Sequence, residues 1–106
     1  MKLKLASLLI VGLTVYAIGV AMAADPATNW AKNCASCHGI NGSGNTVMGK
    51  KLNIVDYRDA KVQASFSDVQ AAGIIKQGTK GMKGFAGQLT DDEIKALVSY
   101  IRSFKK

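Results

Sequence analysis

Histidine, proline and tryptophan occur once each in this chain, and cysteine twice. A lone histidine excludes any centre that needs two imidazoles from one chain. Two cysteines permit one disulfide at most, so no disulfide framework stiffens the protein. A bridge between Cys34 and Cys37 would close too small a loop to stabilise much. With Pro26 as the only proline, the glycines at every third position from Gly78 to Gly87 do not make a collagen repeat. Acidic residues are scarce too, 7 Asp and Glu against 14 Lys and Arg. The basic residues are nevertheless spread along the chain, among them Lys32, Lys50, Lys51, Arg58, Lys61, Lys76, Lys80 and Lys83. Aromatic residues are few and not interleaved with them, which argues against nucleic-acid binding. Such a surface suits an acidic protein partner instead. No strand or hairpin signal, internal repeat or low-complexity segment is visible.

The N-terminus reads MKLKLASLLIVGLTVYAIGVAMAAD. Lys2 and Lys4 form a basic start, and no charge follows from Leu5 to Ala24. Ala21-Met22-Ala23 is a small-x-small cleavage site, with the cut before Ala24. This pattern predicts a signal peptide over residues 1–23 and an exported, periplasmic domain over 24–106. The apolar run is also long enough to span a bilayer, so an uncleaved anchor is the alternative. Membrane contact is expected only in that case. Without Lys2 and Lys4 the remaining 12 basic and 7 acidic residues leave a net charge of +5.

Three helices are predicted in the domain. The first, over Ala27–Cys37, places Trp30 one turn before Cys34 and stops at Gly39. The second, over Asp68–Gln77, has Ser67 as N-cap, Gly78 as its stop, and Val69, Ala72, Gly73 and Ile75 toward one side. The third begins with the capping box Thr90-Asp91-Asp92-Glu93. Ile94, Leu97, Val98 and Ile101 then follow at the i, i+3, i+4, i+7 spacing of a buried face, widened by Tyr100 and Phe104. A shorter fourth helix around Val55–Gln63 is weakly signalled. The fold class is therefore all-α, with long glycine-rich connections. So short a domain buries a limited core and needs reinforcement from outside the chain.

All the thiols and the imidazole fall within Cys34-Ala35-Ser36-Cys37-His38. This is the spacing of a c-type haem attachment site. Two cysteines three residues apart present sulfurs to one side, where each can add to a haem vinyl group, and the next residue offers its imidazole to the iron. Zinc would need a fourth ligand, and the chain has no other Cys or His. A thioredoxin-type dithiol would need a βαβ context, which is missing. One covalently bound haem c, held through two thioethers, also supplies the absent core. For the iron's sixth position a thioether is the natural donor. Met48 lies ten positions after His38, too near to return easily around a porphyrin edge, whereas Met82 sits in GTKGMKGFAG between the second and third helices. Met82 is the expected ligand. Met48, a lysine and an open position are the alternatives, and core filling is the role a methionine would have otherwise.

With CASCHG near the start and GTKGMKGFAGQLTDDEIKALVSYIRSF at the end, the chain resembles the short class I cytochromes c of bacteria and photosynthetic organisms over residues 27–104. The resemblance implies a small cytochrome c fold, three to four helices wrapped around one haem. It implies His38 and Met82 as iron ligands, Cys34 and Cys37 as thioether anchors, and electron carriage rather than catalysis. It also implies crossing N- and C-terminal helices, with Trp30 meeting Leu97, Tyr100 and Ile101. Two positions depart from the family pattern. Lys83 follows Met82 where many members have proline, and no proline stands in Val47–Lys51, where many members supply a carbonyl to the ligand histidine. Both predict a softer Met82 loop. The expected function is an exported monohaem electron carrier serving redox partners with acidic docking surfaces. The alternatives are a haem-based ligand-binding or sensor module with a labile sixth ligand, and a thiol–disulfide oxidoreductase. Arg58, Lys50, Lys51 and Asn53 are candidate contacts for haem propionates or simply solvated, and Tyr57 is read as packing.

Overall fold

The computed structural model describes residues 24–106, together with Gly12 and Thr14. The expected signal segment, residues 1–23, otherwise lies outside the described residues. Helix α1, Pro26–Asn33, starts where its sequence can satisfy the free amides of a first turn. Asp25 accepts the Thr28 N–H at 2.8 Å, and Pro26 occupies the first position, where no amide is needed. The helix does not run on to Cys37 as expected. Cys34 leaves helical geometry at φ −122°, and a separate turn, α2, covers Ala35–His38.

Helix α3, Val47–Lys51, is capped by the Thr46 hydroxyl, which accepts the Gly49 N–H at 2.8 Å. It was not anticipated, because it is only five residues long and contains Gly49. Helix α4, Ala60–Ala64, is the shortened outcome of the weak signal over Val55–Gln63. Helix α5, Asp68–Gln77, has the expected bounds, and a capping box between Ser67 and Gln70. Its buried face matches the expected one in part: Ile75 is buried and Ala72 packs against the core as expected, but Ala71 is buried as well and Val69 is 83% exposed. Helix α6, Asp91–Arg102, begins at the Thr90–Glu93 box and buries Ile94, Leu97, Val98 and Ile101. Among the described residues there are thus six helical segments, several of them single turns, where three or four were expected. No strand forms among the described residues, and the only pairing is an isolated antiparallel bridge between Thr79 and Met82.

Helix α6 is the floor of the core. Both α1 and α5 pack on it, and Trp30 and Leu97 are the most completely buried side chains. Each large apolar group removed from water in this way contributes about 1.5–3 kcal/mol. The C-terminal end of α6 is tied across the molecule by Arg102. Its guanidinium donates to Asp68 Oδ1 and the Phe66 carbonyl, each at 2.8 Å, and to Gln63 Oε1 at 2.9 Å. The same group lies 4.2 Å from the Phe66 ring centroid. These ties hold the 63–68 stretch against the end of α6.

Candidate functional site

The break at Cys34 decides how the attachment motif is presented. Its amide still bonds back to the Trp30 carbonyl at 2.9 Å, but the next residues turn as a new helical unit. That unit ends at Gly39, whose φ of +82° suits a residue without a Cβ. Three successive carbonyls leaving the motif then each receive a donor. Cys37 O accepts the Thr46 hydroxyl at 2.6 Å, and His38 O accepts the Gly44 N–H at 2.7 Å. Gly39 O accepts the Trp30 indole N–H at 2.9 Å. The loop after the motif is therefore folded back onto it, leaving the cysteines half-buried and the imidazole facing the core side.

His38 stands among aromatic rings. Its imidazole stacks on Tyr57 at 5.4 Å and 19°, and meets Trp30 at 5.5 Å. Burial pushes its basicity below the ordinary histidine value, in the direction that favours the neutral ring a metal ligand requires. Its Nδ1 atom is buried without a hydrogen-bond partner. Buried polar atoms are seldom left so, and this one marks an imidazole that protein contacts alone do not satisfy. Burial, and secondarily the neighbouring Cys37, push the Cys34 thiol up to about 11. A thiol that resists ionisation is poorly suited to disulfide exchange, where the thiolate is the reactive form.

Beside the imidazole opens an apolar cleft of about 790 Å³, its mouth included, lined by Cys34, His38, Tyr57, Phe66, Ile75 and Met82 among others. Its walls are as apolar as a macrocycle requires. Met82 reaches the cleft from the loop between α5 and α6. Residues Gly78 to Gly84 form a narrow hairpin in which Thr79 and Met82 exchange main-chain hydrogen bonds of 2.8 and 3.3 Å. The loop then zips back along α5, with Phe85 N–H on Ile75 O at 2.9 Å and Ala86 N–H on Lys76 O at 3.1 Å. Gly78 has a φ of +76°, and a Cβ there would lie 2.5 Å from both Gly84 N and Met82 O. The loop thus owes its form to glycine and paired main chain, where the family resemblance pointed to proline.

Of the predicted residues, Cys34, His38 and Met82 meet at this cleft, and Cys37, His38 and Met82 meet again at a second hollow on its other side, rimmed by Lys32 and Lys83. Met48 lines neither and is 42% exposed. Arg58 is engaged with Asp56, at 2.8 Å. Sequence reasoning gave Tyr57 a packing role and missed its stack on His38. An aromatic two-thirds of the way between the motif and α5 carries no periodic signal that would have revealed it. The donor set therefore fits a haem: two half-buried thiols, a neutral imidazole with an unsatisfied nitrogen, a thioether across the same cleft, and apolar walls between them.

Comparison with known proteins agrees with that fit. Residues 21–101 match the family model described as cytochrome C oxidase, cbb3-type, subunit III. The chain is 35% identical over 96 residues to cytochrome c6 of Thermosynechococcus vestitus, covering 86% of this chain and 80% of that protein. It is 37% identical over 86 residues to cytochrome c6 of Thermostichus vulcanus, covering 76% and 71%. Among solved structures it is similar to the KustC0563 c-type cytochrome, with a TM-score of 0.73 and 37% identity, over 78% of this chain and all of that one.

Proposed function

Because this chain belongs to the small monohaem class I cytochromes c, we propose that it is an exported one-electron carrier whose iron is held by His38 and Met82 and whose haem is anchored by Cys34 and Cys37. It carries one covalently bound haem c and is an electron carrier, not an enzyme. The observation that supports the ligand assignment is the cleft that His38 and Met82 share. When bound, the haem supplies a one-electron Fe(III)/Fe(II) couple. The protein's own part is to fix two donors, keep water out and hold everything still between oxidation states. His38, presented by α2, and Met82, presented by the loop before α6, would hold the iron from the walls of the cleft they share. A sulfur donor in an apolar surround holds the potential above that of a two-imidazole centre. With both His38 and Met82 bound to it, the iron would offer no place for a substrate.

Lys83 and Lys32 at the rim of the second hollow, with exposed Lys80 on the same loop, form a positive border where an acidic partner docks. Electron-transfer encounters are small and short-lived, and charge attraction speeds them without prolonging them. Export rests on the signal-like segment 1–23.

The test is the optical spectrum of the ferric protein matured in a host that attaches haem c. The weak red band of thioether-to-iron charge transfer is expected in the wild type and absent in Met82→Ala. A wild type with covalent haem but no such band, able to bind carbon monoxide in the ferrous state at neutral pH, would instead be a ligand-binding module.

A further inference from the structure

Trp30 is bonded to the attachment segment at both of its ends. Its main-chain carbonyl accepts the Cys34 N–H, and its indole N–H donates to the Gly39 carbonyl, both at 2.9 Å. Residues 34–38 lie wholly between these two bonds, and the indole itself rests against the His38 ring. Trp30 is 1% exposed, so neither bond competes with water. Its flanks away from His38 are covered by Tyr100 and Phe104 near the end of α6, at 5.9 and 5.0 Å. Phenylalanine would satisfy that packing, but only tryptophan places an N–H against Gly39.

We propose that Trp30 is a positioning residue for His38, holding the tilt and rotation of the imidazole by bracketing the motif that carries it. This rests on the reading of His38 as iron ligand. The peptide after His38 enters Gly39 at a left-handed φ, a place where the chain would otherwise hinge. The Gly39 carbonyl also takes the Gly42 N–H at 3.1 Å, so the bond from Trp30 fixes the turn that follows as well as the residue before. The carbonyls of Cys37 and His38 are held from the 44–46 stretch of the same loop. The third is held from α1, which α6 keeps in place. Trp30 thereby connects the orientation of His38 to the helical core rather than to the loop alone. Ring orientation governs how the imidazole's donor orbital meets the iron, and outer contacts of this kind tune a metal site.

The experiment compares the haem-loaded wild type with Trp30→Phe and with Tyr100→Leu. The second removes packing from the same indole but no bond to the motif. Paramagnetic NMR of the ferric proteins reads the hyperfine shifts of the His38 ring protons, and voltammetry reads the midpoint potential. In Trp30→Phe both are expected to move, and the Gly42 and Gly44 amides to exchange about tenfold faster, as loss of one dry hydrogen bond implies. In Tyr100→Leu stability should fall while the His38 shifts and the potential stay at wild-type values. If both variants merely lose stability, with the His38 shifts unmoved, the proposal is overturned. Should Trp30→Phe fail to assemble, the wild type decides: a through-bond coupling between the Trp30 indole nitrogen and the Gly39 carbonyl carbon is expected, and its absence overturns the bracket. A wild type in which no residue-38 proton is hyperfine-shifted would overturn the ligand reading itself, which is a different result from either of these.

Discussion

Gln63 is only 6% exposed, and every part of its amide is used. Its Nε2 donates to the Tyr57 carbonyl at 2.7 Å and the Ile101 carbonyl at 2.9 Å, while its Oε1 accepts Arg102. It thereby sets the backbone from which Tyr57 stacks on His38. Replacement by leucine keeps the volume and strands two carbonyls and a guanidinium N–H, at a cost of about 1–3 kcal/mol for each group left dry. Gln63→Leu should therefore lower the denaturant midpoint of the haem-loaded protein clearly, and Gln63→Glu, which keeps only the acceptor, should also be destabilised. Nothing in the sequence marked this residue. A polar side chain in a stretch without strong periodicity reads as surface, and its burial becomes visible only when α6 is laid across it. The attachment residues are the opposite case. Cys34, Cys37 and His38 are legible because their chemistry fixes their spacing, whatever the rest of the chain does.

Among the elements, α6 was the most legible. Its capping box and its four apolar positions are both local patterns, and both appear as expected in the structure. The box has a second use. Glu93 accepts the Thr90 N–H, and also the side-chain amide of Asn29 on α1 at 3.1 Å. Those bonds, the Thr90 amide first, hold its carboxyl below the ordinary value of 4.5. A lowered carboxylate stabilises the fold above that value, and the contribution is lost as pH falls below it. The gap in thermal midpoint between wild type and Glu93→Gln should accordingly be widest above pH 4.5 and narrow progressively as pH falls below it. The faces of α5 were less legible, because that helix is flanked by the apolar cleft and by α6 at once, and Val69 stays exposed at the edge of a shallow hollow shared with α6. The break at Cys34 escaped as well: a one-residue departure from helical φ leaves no mark in a hydrophobic pattern. At the Met82 hairpin the decisive residue is Gly78. Gly78→Ala should cost about 1–3 kcal/mol for the positive-φ backbone alone. It should also weaken the thioether charge-transfer band, since its Cβ would press on the Met82 carbonyl.

For the whole molecule, the excess of base over acid acts through its placement. Lys32 and Lys83 stand at one rim, from α1 and from the Met82 loop, so the positive border joins the two halves of the site. Rates of electron transfer with an acidic partner should fall as ionic strength rises, because exposed charges are screened within about 8 Å at physiological salt. Stopped-flow measurement across salt concentrations checks this, and Lys83→Glu should flatten the dependence. A rate indifferent to salt would remove the lysines from docking. The class of fold could be read from the helix signals and the small size. The packing of α1 and α5 on α6 could not, because distant contacts leave no local trace.

The bonds that shape the attachment segment all span short stretches of chain: Trp30 to Gly39, His38 to Gly44, Cys37 to Thr46. Met82 arrives from more than forty positions further on. The two sides of the cleft therefore differ in time as well as in place. Contacts between near neighbours form early and cheaply, whereas those that close long loops wait. The portion that receives the cofactor can take shape while the later portion is still unfolded, leaving the cysteines open to whatever attaches the haem. Met82, which arrives by the longer closure, is then expected to settle after the attachment segment has taken its shape.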